Sequence, residues 1–521
     1  MDSLVHNAYR FATSRLQGRL IAPYQREGVM WMLWKELDTE RKTVHGGFLC
    51  DEMGLGKTVQ TISVILGNPK PRTLIIVPKS IVSQWEEEIE HFAPQDLKVI
   101  VHDGPDRTKK PEDLLDANVV IAPYSVLLER SKETKGEATV LHRIRWDRVI
   151  LDEAHEIRNA SSKISKSLCI LQGKHRWLLT GTPVFNSIKD YISLCKFLGI
   201  DKSLIQAMPD KIREQFILRR TKEDVAKFSE RLRLPPCDFQ NVEIEMYPEE
   251  MEMYSTVFNQ CRETIKDIAK NSGGNTAMYT MHIFECLLRC RQVMIHPQLY
   301  LDGMARKTDE ESPDLWEHGS KKIETLVDMV KTHPTEKTLI FSQFISEMEI
   351  IHQSILDLGD RQVFRIDGSV SKEGRVEQIK KFRKTSASAG AVFIIQIKAG
   401  GQGLNLQEAT RVYITAPSWN PATELQAIGR SHRTGQSKKV IVRKLICLGE
   451  EELPSIEQSI MSLQGHKALV CAEVLNDPRL ARQVPVNTKS KITIQDVKKL
   501  FRLNKVEENS KIEGGYKCIE F

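Results

Sequence analysis

No Cys-x-x-Cys pair occurs among the 10 cysteines of this 521-residue sequence, and the closest two, Cys286 and Cys290, are one helical turn apart. That spacing argues against a zinc ribbon or RING insertion, and scattered free thiols fit a reducing compartment. No apolar run approaches the roughly 18 residues that a membrane span needs, and the N-terminus lacks a charged-then-apolar leader pattern. A cytosolic or nuclear protein without a membrane partner is therefore expected. Tandem repeats and long low-complexity stretches are also missing. Charge of one sign is in short supply: 75 Lys and Arg against 69 Asp and Glu leave a net of +6. So small an excess is compatible with a nucleic-acid partner without indicating one, because a basic stripe can hide in a balanced total.

What is present describes a globular chain too long for one core, with 40% hydrophobic and 28% charged residues. Short runs of Ile, Val and Leu, Leu74 to Val77 and Val149 to Leu151, each end in a polar loop. Buried parallel strands read this way, with function at their carboxyl ends. Ile81 to Phe92 reads as an intervening helix with a Glu-rich outer face, and the β-α alternation spans about Gly46 to Leu198. A second series begins near Thr338 with LIFSQF, VFRID, AVFIIQI, RVYITA and VIVRKLI.

Between the two series the texture changes. Pro248 to Tyr300 is helical and Met-rich with a break at Gly273 and Gly274, and Asp302 to His318 reads as a loop. Helical character returns from Glu451, Thr493 and Asp496 fit a capping box for a helix bearing Val497, Leu500 and Phe501 on one face, and 502–521 read as a tail. The expected fold is α/β: two parallel-sheet lobes at 1–210 and 321–450, a linker and helical insertion at 211–320, and a helical extension at 451–521.

The strongest local signal is DEMGLGKT, Asp51 to Thr58, between the strand-like GGFLC and the helix-like VQTISVIL. Small residues there let backbone N–H groups converge on phosphate oxygens at a helix N-terminus. Asp51, Glu52, Met53, Gly54, Leu55 and Gly56 would wrap the phosphates, Lys57 would neutralise them, and the Thr58 hydroxyl would bind Mg²⁺. Asp51 stands where the general pattern has Gly, and a Gly-rich turn is the bland alternative. The partner is RVILDEAHEI, a strand ending in Asp152 and Glu153. Asp152 can hold Mg²⁺ and Glu153 can polarise an attacking water, whereas a helix start decorated with acids is the plainer reading. Upstream, the side-chain amide of Gln25 in IAPYQREGVMWM can read an adenine edge.

From about Leu20 to Leu475 the chain resembles the Swi/Snf-type helicase-like ATPases of superfamily two, with the motifs in family order. LIAPYQREGV is similar to the family's adenine segment, DEMGLGKT to its phosphate loop, and DEAH at 152–155 to its magnesium motif. LIIVPKSIVSQWEEEIEHF resembles a nucleic-acid motif, with Lys79 and Ser80 facing the backbone and Trp85 packing in the lobe. LLTGTPVFN resembles the coupling motif, with Phe185 where the family has Gln, and FILRRTKEDV resembles the element bridging the lobes. LIFSQF and RIDGSVS take their places in the second lobe. IIQIKAGGQGLNLQEATRVYI, with Lys398, resembles a motif that binds nucleic acid and senses nucleotide. SWNP at 418–421, with Trp419 and Asn420, has Ser418 in place of a second aromatic. In QAIGRSHRTGQ the resemblance assigns Arg430 and Arg433 as arginine fingers, which in related phosphoryl-transfer enzymes supply about 10³ to 10⁵ in rate.

The resemblance implies two RecA-like lobes of a P-loop NTPase, ATP and Mg²⁺ as cofactors, and a monomeric motor that translocates on double-stranded DNA without separating strands. It would remodel chromatin or other protein–DNA complexes in transcription or repair, with nucleosomes or DNA-bound proteins as partners. The wording KAGGQGLNL resembles the branch of transcription-termination and repair motors, and the near-bare size resembles compact viral members, the baculoviral global transactivators. A nuclear location is expected, the host nucleus for a viral member. A strand-separating helicase is the alternative enzyme, and a non-enzymatic ATP-binding co-regulator the alternative class. Intact Lys57, Glu153, Arg430 and Arg433 speak against the latter.

Overall fold

The computed structural model describes residues 1–20, 22–38, 44–128, 139–181, 188–228, 234–271, 276–308, 315–386, 389–400, 405–433, 435–451 and 453–475. They divide into two compact units, one built on Met1–Leu234 and the other in the main on Pro235–His432 with Gln436–Leu469. The expected capping box at Thr493, the tail, and the Gly273–Gly274 break lie outside the described residues.

The first unit carries β1 (His45–Leu49), β2 (Thr73–Val77), β3 (Val99–Val101), β4 (Val119–Pro123), β5 (Trp146–Asp152), β6 (Gly173–Leu179) and β7 (Ile217–Leu218). They form one parallel sheet in the order β3-β4-β2-β5-β6-β1-β7. Successive side chains of a strand point to opposite faces, so a sheet covered on both sides needs apolar residues at every position. Leu74 and Ile76 of β2 join one core with Val120, Val149 and Leu151. Ile75 and Val77 join another with Ile121 and Ile150 on the opposite face.

The second unit carries β8 (Cys237–Ile244), β9 (Lys337–Ser342), β10 (Gln362–Ile366), β11 (Ala391–Gln396), β12 (Arg411–Ile414) and β13 (Val440–Cys447). This sheet is also wholly parallel, in the order β10-β11-β9-β12-β13-β8. Ile340, Val392 and Ile394 face one core, and Leu339, Phe341, Phe393 and Ile395 face another.

Several segments differ from the sequence reading. The strand β8 was not anticipated in the 211–320 linker, because as an edge strand it is largely exposed and reads as polar. It pairs with β13 along its full length, so the chain enters the second sheet before the helices begin. The helices Pro248–Asn271 and Thr276–Ile295 therefore lie inside the second unit, their Tyr254, Phe258, Leu287 and Val293 sharing a core with β9 and β11. Ile456 and Ile460 of the C-terminal helix Ile456–Leu475 join the same core, so neither segment has a hydrophobic interior of its own. Finally, the stretch expected to loop from Asp302 is still helical to Thr308.

Polar anchors hold the first unit's helix Pro23–Leu37, whose buried residues include Tyr24, Gln25, Lys35 and Glu36. Glu36 accepts from Arg148 Nε at 2.6 Å, Arg148 Nη2 at 2.5 Å, Trp177 Nε1 at 2.9 Å and Asn68 Nδ2 at 2.8 Å. Burial alone would raise its carboxyl, but the Arg148 charge and these donors hold it at about 2.

Candidate nucleotide site

After β1 the chain turns through Asp51–Gly56 into the helix Lys57–Gly67. Gly54 and Gly56 have φ of +91° and +75°, left-handed conformations that side chains disfavour. A Cβ on Gly56 would also stand 2.5 Å from Nε2 of Gln25, so both backbone and space demand glycine there. Gly56 is the N-cap of the helix and makes no side-chain cap. The first helical N–H groups are thus left for an anion, at the positive end of the helix dipole. Lys57 folds back over the loop and donates from Nζ to the Asp51 carbonyl at 2.7 Å. Thr58 is partly exposed at the same helix start. Leu55 is buried with Ala22, Tyr24 and Val225, so only its backbone serves the loop.

The acid pair ends β5, two strands along from β1 in the same sheet, with β6 between them. Both carboxylate oxygens of Asp152 are fixed: Oδ2 accepts from Trp85 Nε1 at 2.7 Å and Oδ1 from the Glu153 N–H at 2.8 Å. Tyr124 O–H donates to the Asp152 carbonyl at 2.8 Å. Burial, then the neighbouring Glu153 charge, push the Asp152 carboxyl up to about 6, against the lowering pull of Trp85 and Lys57. Glu153 has φ of +46°, the single left-handed non-glycine among the described residues, a conformation that costs energy unless its surroundings impose it. Its Oε2 lies 3.3 Å from His155 Nδ1. Gly181 of the LLTGTPVFN motif closes the group: a Cβ on it would stand 3.8 Å from the Asp51 carbonyl and 4.0 Å from Lys57 Nζ. Residues 182–186 of that motif lie outside the described residues.

Two expected loop residues turn their side chains into the framework. The Asp51 carboxylate is fully buried and accepts from Arg220 Nε at 2.9 Å, Arg220 Nη2 at 2.5 Å and Gln60 Nε2 at 3.1 Å. It turns away from where phosphates would sit because a buried charge needs a buried partner. Glu52 accepts the Lys222 N–H at 2.8 Å, with Lys222 Nζ 3.6 Å away, so its side chain also serves the loop's framework. Gln25 is 2% exposed and donates its amide to the Leu55 carbonyl at 3.3 Å, under the loop. Met53 and Gly54 remain partly exposed.

Among the nucleic-acid candidates, Lys79 and Ser80 are exposed on the turn Lys79–Ile81 after β2, and Lys398 is exposed after β11. Trp419 packs against the second unit's core with Arg291 stacked 5.6 Å from its ring, and Arg291 Nη2 donates to the Pro417 carbonyl at 2.9 Å. Asn420 caps the helix Pro421–Ile428, its Oδ1 accepting from the Ala422 N–H at 3.1 Å. Arg430 is buried and Arg433 half-buried on the turn after that helix. Residues 401–404 of the glycine-rich motif lie outside the described residues. The sequence reading missed the roles of Arg220, Gln60 and Tyr124 and gave Trp85 only a packing role. An aspartate at the first loop position was the available signal, since a buried acid there requires a cation.

Comparisons with known proteins identify the family. Models of the SNF2-related domain match residues 24–208 and 202–299, and the helicase conserved C-terminal domain matches 321–435. The chain is 28% identical to the probable global transactivator of Orgyia pseudotsugata multicapsid polyhedrosis virus, over 92% of this chain and 94% of that protein. It is 30% identical to the putative ATP-dependent helicase/translocase YwqA of Bacillus subtilis, over 93% of this chain and 51% of that protein. The human helicase-like transcription factor is 29% identical over 77% of this chain and 50% of its own length. The chain spans about half the length of several such relatives. The Sulfolobus solfataricus SWI2/SNF2 ATPase core in complex with dsDNA is 28% identical, with 91% of this chain and 98% of that one covered and a TM-score of 0.38. With an SNF2-related model matching more than half of the sequence, this chain belongs to the SNF2 family of helicase-like ATPases.

Proposed function

We propose that this chain is a DNA-dependent ATPase that moves along duplex DNA and remodels the proteins bound to it. The observation that carries the reading is the phosphate loop and the fixed Asp152–Glu153 pair on strand ends of one parallel sheet. The triphosphate rests on the N–H groups from Gly54 to Thr58 and on Lys57, with Gln25 at the adenine side. Among the described residues no cluster of three or more His, Cys, Asp or Glu could hold a metal. Mg²⁺ would be held instead by the Thr58 hydroxyl, Asp152, and phosphate and water oxygens, the hard ligands it prefers. Bound there, the ion supplies charge neutralisation on the phosphates. Glu153, forced into its left-handed conformation, orients and polarises the attacking water. Arg430 and Arg433 are the arginine fingers of the same reading.

Lys79, Ser80, Lys398 and Asn420 are the nucleic-acid contacts, made to phosphates and therefore insensitive to sequence and weakened by salt, and Trp419 couples that grip to the arginine loop. Nucleosomes or other DNA-bound proteins are the partners and the nucleus the location. The chromatin-remodelling, transcription and translocase names of the relatives support this reading. Phosphate release measured without nucleic acid and with single strands, duplex and nucleosomes tests it. Stimulation by duplex, with displacement of a triplex strand but no opening of a forked duplex, is expected. Indifference to duplex sinks the motor reading, and opening of the fork turns it into a strand-separating helicase.

A further inference from the structure

Arg220 stands far along the chain from the phosphate loop, yet its guanidinium engages both ends of it. At the start, Nε and Nη2 form a forked pair with the two Asp51 oxygens at 2.9 and 2.5 Å. At the end, Nη2 donates to Gln60 Oε1 at 2.9 Å, and the Gln60 amide donates to the carbonyls of Leu55 at 3.4 Å and Gly56 at 3.3 Å. Nη1 donates to the Tyr24 carbonyl, and the guanidinium lies 5.2 Å from the Tyr24 ring centre. Tyr24 in turn donates its hydroxyl to the Leu55 carbonyl at 3.0 Å. Gly28 makes the space: a Cβ there would stand 2.6 Å from Arg220 Nη2 and 1.9 Å from Gln60 Oε1. The backbone follows the side chain, since the Cys50 N–H donates to the Leu218 carbonyl at 2.7 Å and the Glu52 N–H to the Arg220 carbonyl at 2.9 Å.

We propose that Arg220 is a positioning residue of the nucleotide site, and that nucleotide affinity is coupled to the seating of the segment Ile217–Lys222 against the phosphate loop. The inference rests on the ATP reading above and deepens it. A loop rich in glycine has many conformations, and its amides converge only when its ends are held. Here the hold comes from a planar fork with fixed donor directions, which a lysine ammonium cannot reproduce. Coupling of this kind is reciprocal: what seats the segment favours nucleotide, and nucleotide must favour the seated segment to the same degree.

The test uses the full chain with Arg220→Lys, Arg220→Gln, the near-isosteric Asp51→Asn, and the double variant Asp51→Asn with Arg220→Gln. Steady-state ATP turnover gives KM and kcat, a fluorescent ATP analogue gives Kd, and thermal melting reports folding separately. In folded variants the Kd rises by about tenfold or more, the scale of a lost charge-assisted hydrogen bond, while kcat at saturation stays near wild type. Lys falls between Arg and Gln, and the double variant is no weaker than Arg220→Gln. In the wild type, ADP slows amide exchange in residues 217–222, and the Arg220→Gln exchange no longer responds. Folded variants with wild-type Kd, or ADP-insensitive exchange in the wild type, overturn the proposal. Where the Arg220 variants do not fold, Asp51→Asn decides alone. A wild type that binds no ATP sinks the functional reading instead, so the two failures are distinct.

Discussion

Compared strand by strand, the two sheets have the same winding. The order β3-β4-β2-β5-β6-β1 of the first unit is matched position for position by β10-β11-β9-β12-β13-β8 of the second. On that correspondence β8 is the counterpart of β1, and β12 is the counterpart of β5. The chemistry at their carboxyl ends differs. After β1 two left-handed glycines open a helix start with no side-chain cap. After β8 the chain runs through Tyr247 into the helix Pro248–Asn271, and the Glu250 carboxylate in its first turn accepts the N–H groups of Tyr247 at 3.0 Å and Lys321 at 3.1 Å. A resident carboxylate thus accepts at this helix start, whereas the corresponding helix start of the first unit has no side-chain cap. Burial pushes the Glu250 carboxyl above its ordinary range, opposed by those donors. Likewise β5 ends in Asp152 and Glu153, whereas β12 runs on into Thr415, Ala416 and Pro417. Winding builds a ledge for ligands, and loop residues decide whether the ledge is open or filled.

The buried charges follow the same contrast. In the first unit the Asp51–Arg220 network converges on the phosphate loop. In the second, Lys322 pairs with Glu457 at 2.5 Å, and Lys444 pairs with Glu424 at 2.9 Å beside the segment that carries Trp419. There Glu424 also accepts the Ser418 N–H at 2.7 Å. Ser418, standing where the family more often has a second aromatic, is buried, and its backbone rather than its side chain makes the hydrogen bonds, its carbonyl accepting from Gln464 Nε2 at 2.5 Å.

The largest expected effect sharpens the contrast between β5 and β12. Glu153→Gln lowers ATP turnover by about 10²- to 10⁴-fold while analogue binding persists. Phosphate release beside a binding titration measures both, and undiminished turnover would show that the acid end of β5 is not what separates the units. Next, Lys322→Met leaves the Glu457 carboxylate buried without its cation and lowers stability by about 3–5 kcal/mol. Urea denaturation reads the loss; because the change lies in the second unit's core, nucleotide-analogue affinity should hold at low denaturant. A third change, Gly56→Ala, imposes a left-handed alanine and weakens nucleotide binding by about 1–2 kcal/mol. An unchanged Kd would mean that the open helix start is not the seat. The smallest effect comes from Glu250→Gln, which keeps an acceptor oxygen but removes the charge. It lowers thermal stability by about 1 kcal/mol without touching ATP binding, and a stabilised variant would refute the resident-anion comparison.

Much of the fold was legible because central parallel strands are apolar on both faces: β2, β5, β9 and β11 announced themselves. β8 did not, since an edge strand buries little, and β7 is only two residues long. The helix Pro23–Leu37 likewise carries no clean apolar face, for its anchors Gln25, Lys35 and Glu36 are polar. Lys35 is buried over the rings of Trp31, Trp34 and Phe216, a cation–π enclosure that no local pattern reveals.

By itself the sequence determined the identities that chemistry requires at fixed spacing: glycines where φ must be positive, Lys57 and Thr58 at a helix start, and two acids at a strand end. Local sterics and hydrogen bonding bind those choices to neighbours in the chain, so they can be read from neighbours. Only the tertiary structure decided that Asp51 faces Arg220, that Trp85 fixes Asp152, and that the helices after Pro248 belong to the second sheet. Those pairings join residues remote in sequence, and they are selected by the need to neutralise buried charge and cover apolar faces, which exists only once the chain has folded.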